Sequence, residues 1–186
     1  MKTWTHPGGK LVELGAKTLT QDELFAILIG TGYKGRSAED IAKELLDNYF
    51  SIYGLLGKTP SDLLKISGIK DGKVRRIAAV FEITKRILKE KNLNLPNARK
   101  ITLELPSLSD AGLLASLIVN GYRDNSPLDL ADTLLRKYGS LNGLMGTKLS
   151  DWAKIKGLGD VKIIRIAAAY ELMLRLIKGL RGENPF

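Results

Sequence analysis

Lys154-Ile155-Lys156-Gly157-Leu158-Gly159-Asp160-Val161-Lys162 is the stretch on which the fold turns. It reads as the end of one helix, a Gly-apolar-Gly corner and the start of a long helix. The glycine before Leu158 permits the left-handed backbone that ends a helix. Leu158 is expected to tuck under and pin the corner. The first amides of the next helix then lack intrahelical acceptors and point outward at the positive end of the helix dipole. Eighty-nine residues earlier the chain reads Lys65-Ile66-Ser67-Gly68-Ile69-Lys70-Asp71-Gly72-Lys73, the same frame with Ile69 as the pin. Lys70 replaces the second glycine there, which leaves the loop shape of that corner open and makes the later one the better match. Asp71 and Asp160 are expected to serve as N-caps.

Working outward from the two corners, the whole chain repeats. Residues 19–89 align with 108–178 without a gap, and about 31 of roughly 71 positions are identical. The identities include Gly32-Tyr33 with Gly121-Tyr122 and Ile77-Ala78-Ala79 with Ile166-Ala167-Ala168. The expected architecture is all-α, with two tandem five-helix units packed side by side: residues 1–91, a linker over 92–107, and 108–186. Thr20 with Glu23 predicts a capping box ahead of an apolar helix that Gly30 ends. Ser37, Thr59-Pro60 and Ser126-Pro127 predict further helix starts. Val74, Ile77, Ala78 and Phe81 form the inner stripe of a long last helix. The linker is expected to hold at most a short extended piece at 100–105.

Composition narrows the function classes. The chain has 186 residues, a formal charge of +9, no cysteine and one histidine. These exclude disulfide scaffolds, thiol nucleophiles, cysteine-based zinc and iron–sulfur sites, and any site with two imidazoles. No stretch approaches the roughly 20 apolar residues that span a bilayer. No apolar run follows Met1-Lys2-Thr3-Trp4, so no signal peptide is expected and the chain reads as cytoplasmic. The charge excess is localised. Residues 63–91 carry nine Lys/Arg against three Asp/Glu, and 152–182 carry seven against two. Both segments hold a corner and a last helix, so a basic patch is placed twice, as for a polyanion partner. A solvated face, or a turn that only packs, is the bland alternative.

Helix, Gly-apolar-Gly and helix make up the helix-hairpin-helix motif, which binds the DNA backbone without reading sequence. The candidate DNA-binding residues are Gly68, Ile69, Lys70, Gly72, Lys73 and Arg76 in the first unit, with Gly157, Leu158, Gly159, Val161, Lys162 and Arg165 in the second. Lys73 with Arg76, and Lys162 with Arg165, lie three residues apart on one flank of a helix and are expected to grip phosphate. The earlier turn at 30–37, like its counterpart at 119–126, is a second candidate hairpin. Its cations Lys34 and Arg36 become Arg123 and Asn125 in the second unit, so a scaffold role is as well supported. Few aromatic residues lie near the turns, so base stacking is not expected.

Lys10-Leu11-Val12-Glu13-Leu14-Gly15-Ala16, Leu19-Thr20-Gln21-Asp22-Glu23-Leu24, Leu28-Ile29-Gly30-Thr31-Gly32 and Leu63-Leu64-Lys65-Ile66-Ser67-Gly68-Ile69 closely resemble the N-terminal domain of the RadC family of bacterial proteins linked to DNA repair. The second unit looks like a divergent copy. The resemblance implies DNA binding, and a role in repair or recombination. It does not carry over the metalloprotease-like domain of RadC-type proteins, because no His-x-His-Pro-Ser-Gly stretch occurs in the sequence. His6-Pro7-Gly8 reads as a turn. The resemblance leaves open a monovalent cation at the hairpin carbonyls, and no other cofactor or metal is expected.

The unit is also similar to the core of helix-hairpin-helix DNA glycosylases. Those place a lysine or another catalytic group two residues past the second glycine, where Val161 and Gly72 stand here. A carboxylate one long helix later is absent too, so the chain is expected not to be an enzyme. A rival expectation is a non-enzymatic scaffold. The last helix of the second unit is apolar nearly all round, from Ile163 to Ile177, and Val80, Ile83 and Ile87 add a second apolar face to its counterpart. Such faces suit packing of the two last helices on each other, a homodimer or another protein partner.

Overall fold

Short polar residues set where the helices begin. Glu23 N donates to the Thr20 hydroxyl at 3.4 Å, and Thr20 N donates back to the Glu23 carboxylate at 2.8 Å, closing the expected capping box. Ser37 with Asp40, Thr59 with Asp62 and Ser126 with Asp129 close equivalent boxes. The computed structural model describes residues 6–183, and among these the regular structure is helical. The reading of residues 1–4 lies outside them. The helices are α1 (Pro7–Leu14), α2 (Gln21–Ile29), α3 (Ala38–Tyr49), α4 (Pro60–Leu64), α5 (Asp71–Glu90), α6 (Asp110–Ile118), α7 (Pro127–Tyr138), α8 (Leu149–Trp152) and α9 (Asp160–Leu180). Short 3-10 turns occupy Ala16–Thr18, Ile52–Leu55, Pro96–Lys100 and Asn142–Leu144. Isolated bridges, Tyr33 with Arg36 and Tyr122 with Asn125, close the loops after α2 and α6.

The all-α expectation holds, and the packing is more entangled than two bodies side by side. One hydrophobic cluster runs through the chain. Helix α9 lies against α1 and α2 as well as α6, and α5 lies against α6 as well as α2. Each long last helix thus covers the first helices of the other half, and α5 and α9 touch each other. This explains their second apolar faces. Val80, Ile83, Ile87, Ile163, Ile166, Leu172, Met173 and Leu176 are all buried inside the chain. Full burial of such a side chain stabilises by about 1.5–3 kcal/mol. The faces that suggested a scaffold or homodimer are therefore largely covered within the chain, with Ile164 half-buried and Leu174 exposed.

Two arginines lock the exchange. Arg86 of α5 donates from Nε to Glu82 at 2.8 Å and from Nη2 to Leu108 O at 2.6 Å. Arg175 of α9, at the equivalent position, donates from Nε to Glu171 at 2.9 Å and from Nη2 to Leu19 O at 2.7 Å. Each fork crosses from a last helix to the segment that opens the other half. Arg86 has a second carboxylate partner, Asp110, at 2.6 Å.

The segment expected to be a linker is part of the core. Ile101 and Leu103 alternate into it, 2% and 0% exposed, as a period-of-two pattern predicts for an extended piece. Gly57 N donates to Lys100 O at 2.6 Å, and Thr102 Oγ1 to Lys58 O at 2.6 Å. The sequence reading also missed α1. His6 caps it by accepting from Gly9 N on Nδ1 at 3.1 Å, and Pro7 occupies its first turn. Among the described residues no helix is long and apolar enough to cross a membrane.

Candidate nucleic-acid interface

Both corners have the same backbone. Gly68 has φ +92° and Gly157 φ +93°, the left-handed range that disfavours any side chain. Space enforces the same choice. A Cβ at Gly68 would lie 2.6 Å from Ile41 Cδ1, and one at Gly157 would lie 2.8 Å from Tyr122 Cβ. Ile69 and Leu158 are 0% and 2% exposed and pin the corners, as expected. The second position differs in sequence but not in shape. Lys70 has φ −122° and ψ 174°, Gly159 φ −74° and ψ 169°. Extended backbone of this kind suits any residue, so Lys70 leaves the loop intact.

These corners open onto helix starts unlike those of the other described helices of eight or more residues. Helices α1, α2, α3, α6 and α7 each have a side-chain cap, on His6, Thr20, Ser37, Ser109 and Ser126. Helices α5 and α9 have none. Asp71 and Asp160 are the first helical residues rather than the expected N-caps, which are Lys70 and Gly159. Lys73 N and Val74 N return to Lys70 O, and Lys162 N and Ile163 N to Gly159 O. The amides of residues 71 and 72, and of 160 and 161, have no acceptor among the described residues, and all four residues are exposed. Outward amides at a helix dipole's positive end form a natural cradle for a phosphate.

The cations expected to grip phosphate are used inside the fold. Lys73 Nζ donates to Thr31 O at 2.6 Å and Gly68 O at 2.7 Å, and the residue is buried. Lys162 Nζ donates to Gly121 O at 3.0 Å and Gly157 O at 2.6 Å. Each ammonium therefore staples its corner to the loop after α2 or α6. Burial lowers the pKa of both lysines. Arg76 Nη2 donates to Ile29 O at 2.9 Å, and Arg165 Nη1 to Leu117 O and Ile118 O at 3.2 and 3.3 Å. These arginines cap the C-terminal ends of α2 and α6, where positive charge is favoured.

The charges that face outward at the corners are others. Lys70, Arg75 and Lys156 are exposed and enter no ion pair among the described residues. Lys65 and Lys154 are paired with Asp62 and Asp151 at 2.9 and 2.8 Å. The tyrosines of the bridged loops were missed as part of the site. The Tyr33 ring stacks beside its corner with Lys34 Nζ 5.4 Å and Lys70 Nζ 6.0 Å from the centroid, and Arg123 lies 5.3 Å from the Tyr122 ring. The repeated Gly-Tyr pair was the available signal. Gly32 and Gly121 have no room for a Cβ because the bridged backbones of Arg36 and Asn125 lie against them, so each tyrosine is fixed against the corner. Around the second corner, Tyr122, Ile155, Lys156, Gly157 and Gly159 border a depression of about 610 Å³.

The model of one family, UPF0758 N-terminal, matches residues 1–75 and 94–164. Among curated proteins, a UPF0758 protein of Janthinobacterium sp. (strain Marseille) is 35% identical over 105 residues, 54% of this chain and 47% of that protein. One from Clostridium beijerinckii is 32% identical over 137 residues, 74% of this chain and 49% of that protein. One from Burkholderia cenocepacia is 40% identical over 86 residues, 46% of this chain and 34% of that protein. The chain thus spans half or less of the length of these relatives. No solved structure matches. A family model that takes in both corners and most of the residues between them leaves a single conclusion: the chain belongs to the UPF0758 N-terminal family, the RadC-like N-terminal region.

Proposed function

We propose that the chain is two copies of one helix-hairpin-helix unit that hold DNA through its phosphates, without reading sequence and without catalysis. The observation that carries this reading is the pair of uncapped helix starts. Alone among the described helices of eight or more residues, α5 and α9 lack a side-chain cap, and both follow a Gly-apolar corner in a locally basic segment. The contact set differs from the one expected from sequence. The amides at Gly72 and Val161 and at their preceding aspartates face phosphate, helped by Lys70, Arg75 and Lys156. Gly68, Ile69, Lys73, Gly157, Leu158 and Lys162 shape the corners. By resemblance, repair or recombination is the setting.

The test is a titration of duplex, single-stranded and four-way-junction DNA at several salt concentrations. Wild type is expected to lose affinity steeply with salt and to show little sequence preference. A Lys70→Glu/Arg75→Glu/Lys156→Glu variant is expected to bind weakly while remaining folded. Equal binding by both proteins rejects the corners as the contact.

A further inference from the structure

Arg76 and Arg165 occupy equivalent positions in α5 and α9, and their guanidinium groups converge. A methyl built on Gly30 would lie 3.4 Å from Arg165 Nη2 and 3.8 Å from Arg76 Nη1, so these nitrogens are no more than about 7 Å apart across one exposed glycine. Neither arginine meets a carboxylate. Their protein partners are the carbonyls of Ile29, Leu117 and Ile118. Glu39, which borders the groove beside Arg165, makes no ion pair with it. Both Nε atoms are buried without an acceptor, and Arg76 Nη1 and Arg165 Nη2 have none among the described residues. Each of the other two core-facing arginines, Arg86 and Arg175, gives its Nε to a glutamate.

The charge does not balance. Two helix C-terminal ends supply about half a negative charge each against two full positive charges. About one positive charge is left over in a partly desolvated place. Burial, and the neighbouring Arg165, hold the Arg76 pKa down to about 10. At the position equivalent to Gly30, the C-cap of α6 is Val119, at φ +71° and 40% exposed. A β-branched residue in that range is strained, and such strain gathers at ligand sites.

We infer that Arg76 and Arg165 form a clamp for one phosphate group, held between the two halves of the chain above Gly30. A tetrahedral oxyanion can accept from both planar forks at once, whereas water leaves the charge uncompensated. The clamp uses guanidinium groups where the corners use amides, and it stands whether or not those cradles hold DNA. Its phosphate comes either as a free anion or as a diester in a nucleic acid strand.

Two probes separate these sources: inorganic phosphate, and a short DNA duplex, each compared with chloride at constant ionic strength. The main readout is the NMR signal of each arginine Nε–Hε in the wild-type chain. Arg76 and Arg165 signals are expected to move together on addition of a probe while those of Arg86 and Arg175 stay. At ten times its Kd, phosphate is expected to raise the melting temperature by about 4 °C. Arg76→Lys and Arg165→Lys, which keep the charge and lose the fork, are expected to abolish that rise. A response to phosphate assigns a free anion. A response of these two signals to duplex alone assigns a diester. If neither probe moves them, the clamp is overturned. Loss of duplex binding in the Lys70/Arg75/Lys156 variant, with the phosphate response kept, shows that the corners and the clamp are distinct.

Discussion

The two corners share a backbone and differ in surface. At the first, Lys70 stands just ahead of α5 without capping it, Arg75 follows and Tyr33 carries two lysines on its ring. At the second, Gly159 precedes the exposed Val161 and half-exposed Ile164, and the tyrosine has one arginine. The positions that coincide are those facing inward. The glycine in the left-handed range, the apolar pin, the stapling lysine and the capping arginine are present in both. Identity between the halves marks what the corner needs in order to form. The outward positions are the ones that differ, and these make the first corner the more cationic; under the proposed reading they are the ones that meet a polyanion.

Breaking the locks between the halves should have the largest effect. Arg175 is 8% exposed at its side chain and Arg86 26%. Arg175→Met leaves the largely enclosed Glu171 and the Leu19 carbonyl without their donor and is expected to cost about 3–4 kcal/mol in urea unfolding. Arg86→Met should cost somewhat less, about 2–3 kcal/mol, because water already reaches the Arg86 guanidinium and Asp110, although Glu82 is buried as well. Equal losses would show that burial does not separate the two locks.

Next come the hinges. Gly68→Ala and Gly157→Ala each combine a disfavoured φ with a close contact and should cost about 2–3 kcal/mol. Gly159→Ala meets nothing within 4 Å and has a negative φ. It should leave stability unchanged or raise it by up to about 1 kcal/mol. A marked loss there would restore the second glycine as a requirement of the corner.

The stapling and outward lysines should then part company. Lys73→Met leaves the carbonyls of Thr31 and Gly68 without their donor and should cost about 1–2 kcal/mol. Lys70→Ala with Arg75→Ala should change stability by less than about 0.5 kcal/mol. The same pair should lower the slope of log affinity against log salt by about 2, one for each phosphate contact. An unchanged slope would remove the first corner from the interface.

The smallest effect is in acid. Lys65 at 2.9 Å, and then the Thr59 amide and hydroxyl, hold the Asp62 carboxyl well below the usual range. Asp151 is lowered chiefly by Lys154, with Lys148 where Thr59 would stand. In both cases the folded pKa lies below the unfolded value of about 3.9, so the stabilisation is present above that pH and is lost as pH falls through the folded value. NMR titration should find the Asp62 midpoint below that of Asp151. A reversed order would mean that the capping box adds nothing to the ion pair.

Much of the fold was open to a reader of the chain. Thr20-x-x-Glu23, Ser37-x-x-Asp40 and Ser126-Pro127 mark helix starts because a cap is a local arrangement, made by side chains a few residues from the amides they serve. The corners were legible for the same reason, since a glycine that must turn left-handed before an apolar pin is a short-range requirement. The helix α1 was not, because a lone histidine followed by proline and two glycines is a weak cap signal. The extended piece at 100–105 was legible, but that Ile101 and Leu103 are buried in the core was hidden among the prolines and charges of an apparent linker.

The candidate site was only half legible. That basic residues gather at each corner is a property of composition along the chain. Which of them face solvent depends on where α2 and α6 end in space. Lys73 and Arg76 look in sequence like Lys70 and Arg75, yet the first two find carbonyls 42 and 47 residues away, at Thr31 and Ile29. The sequence by itself determined the helices, most of their caps and the glycine hinges, because each rests on neighbours along the chain. Only the tertiary structure decided that the last helices exchange partners between halves, which cations are inward, and that two arginines meet. Those outcomes depend on contacts between residues far apart in sequence, and no local pattern encodes them.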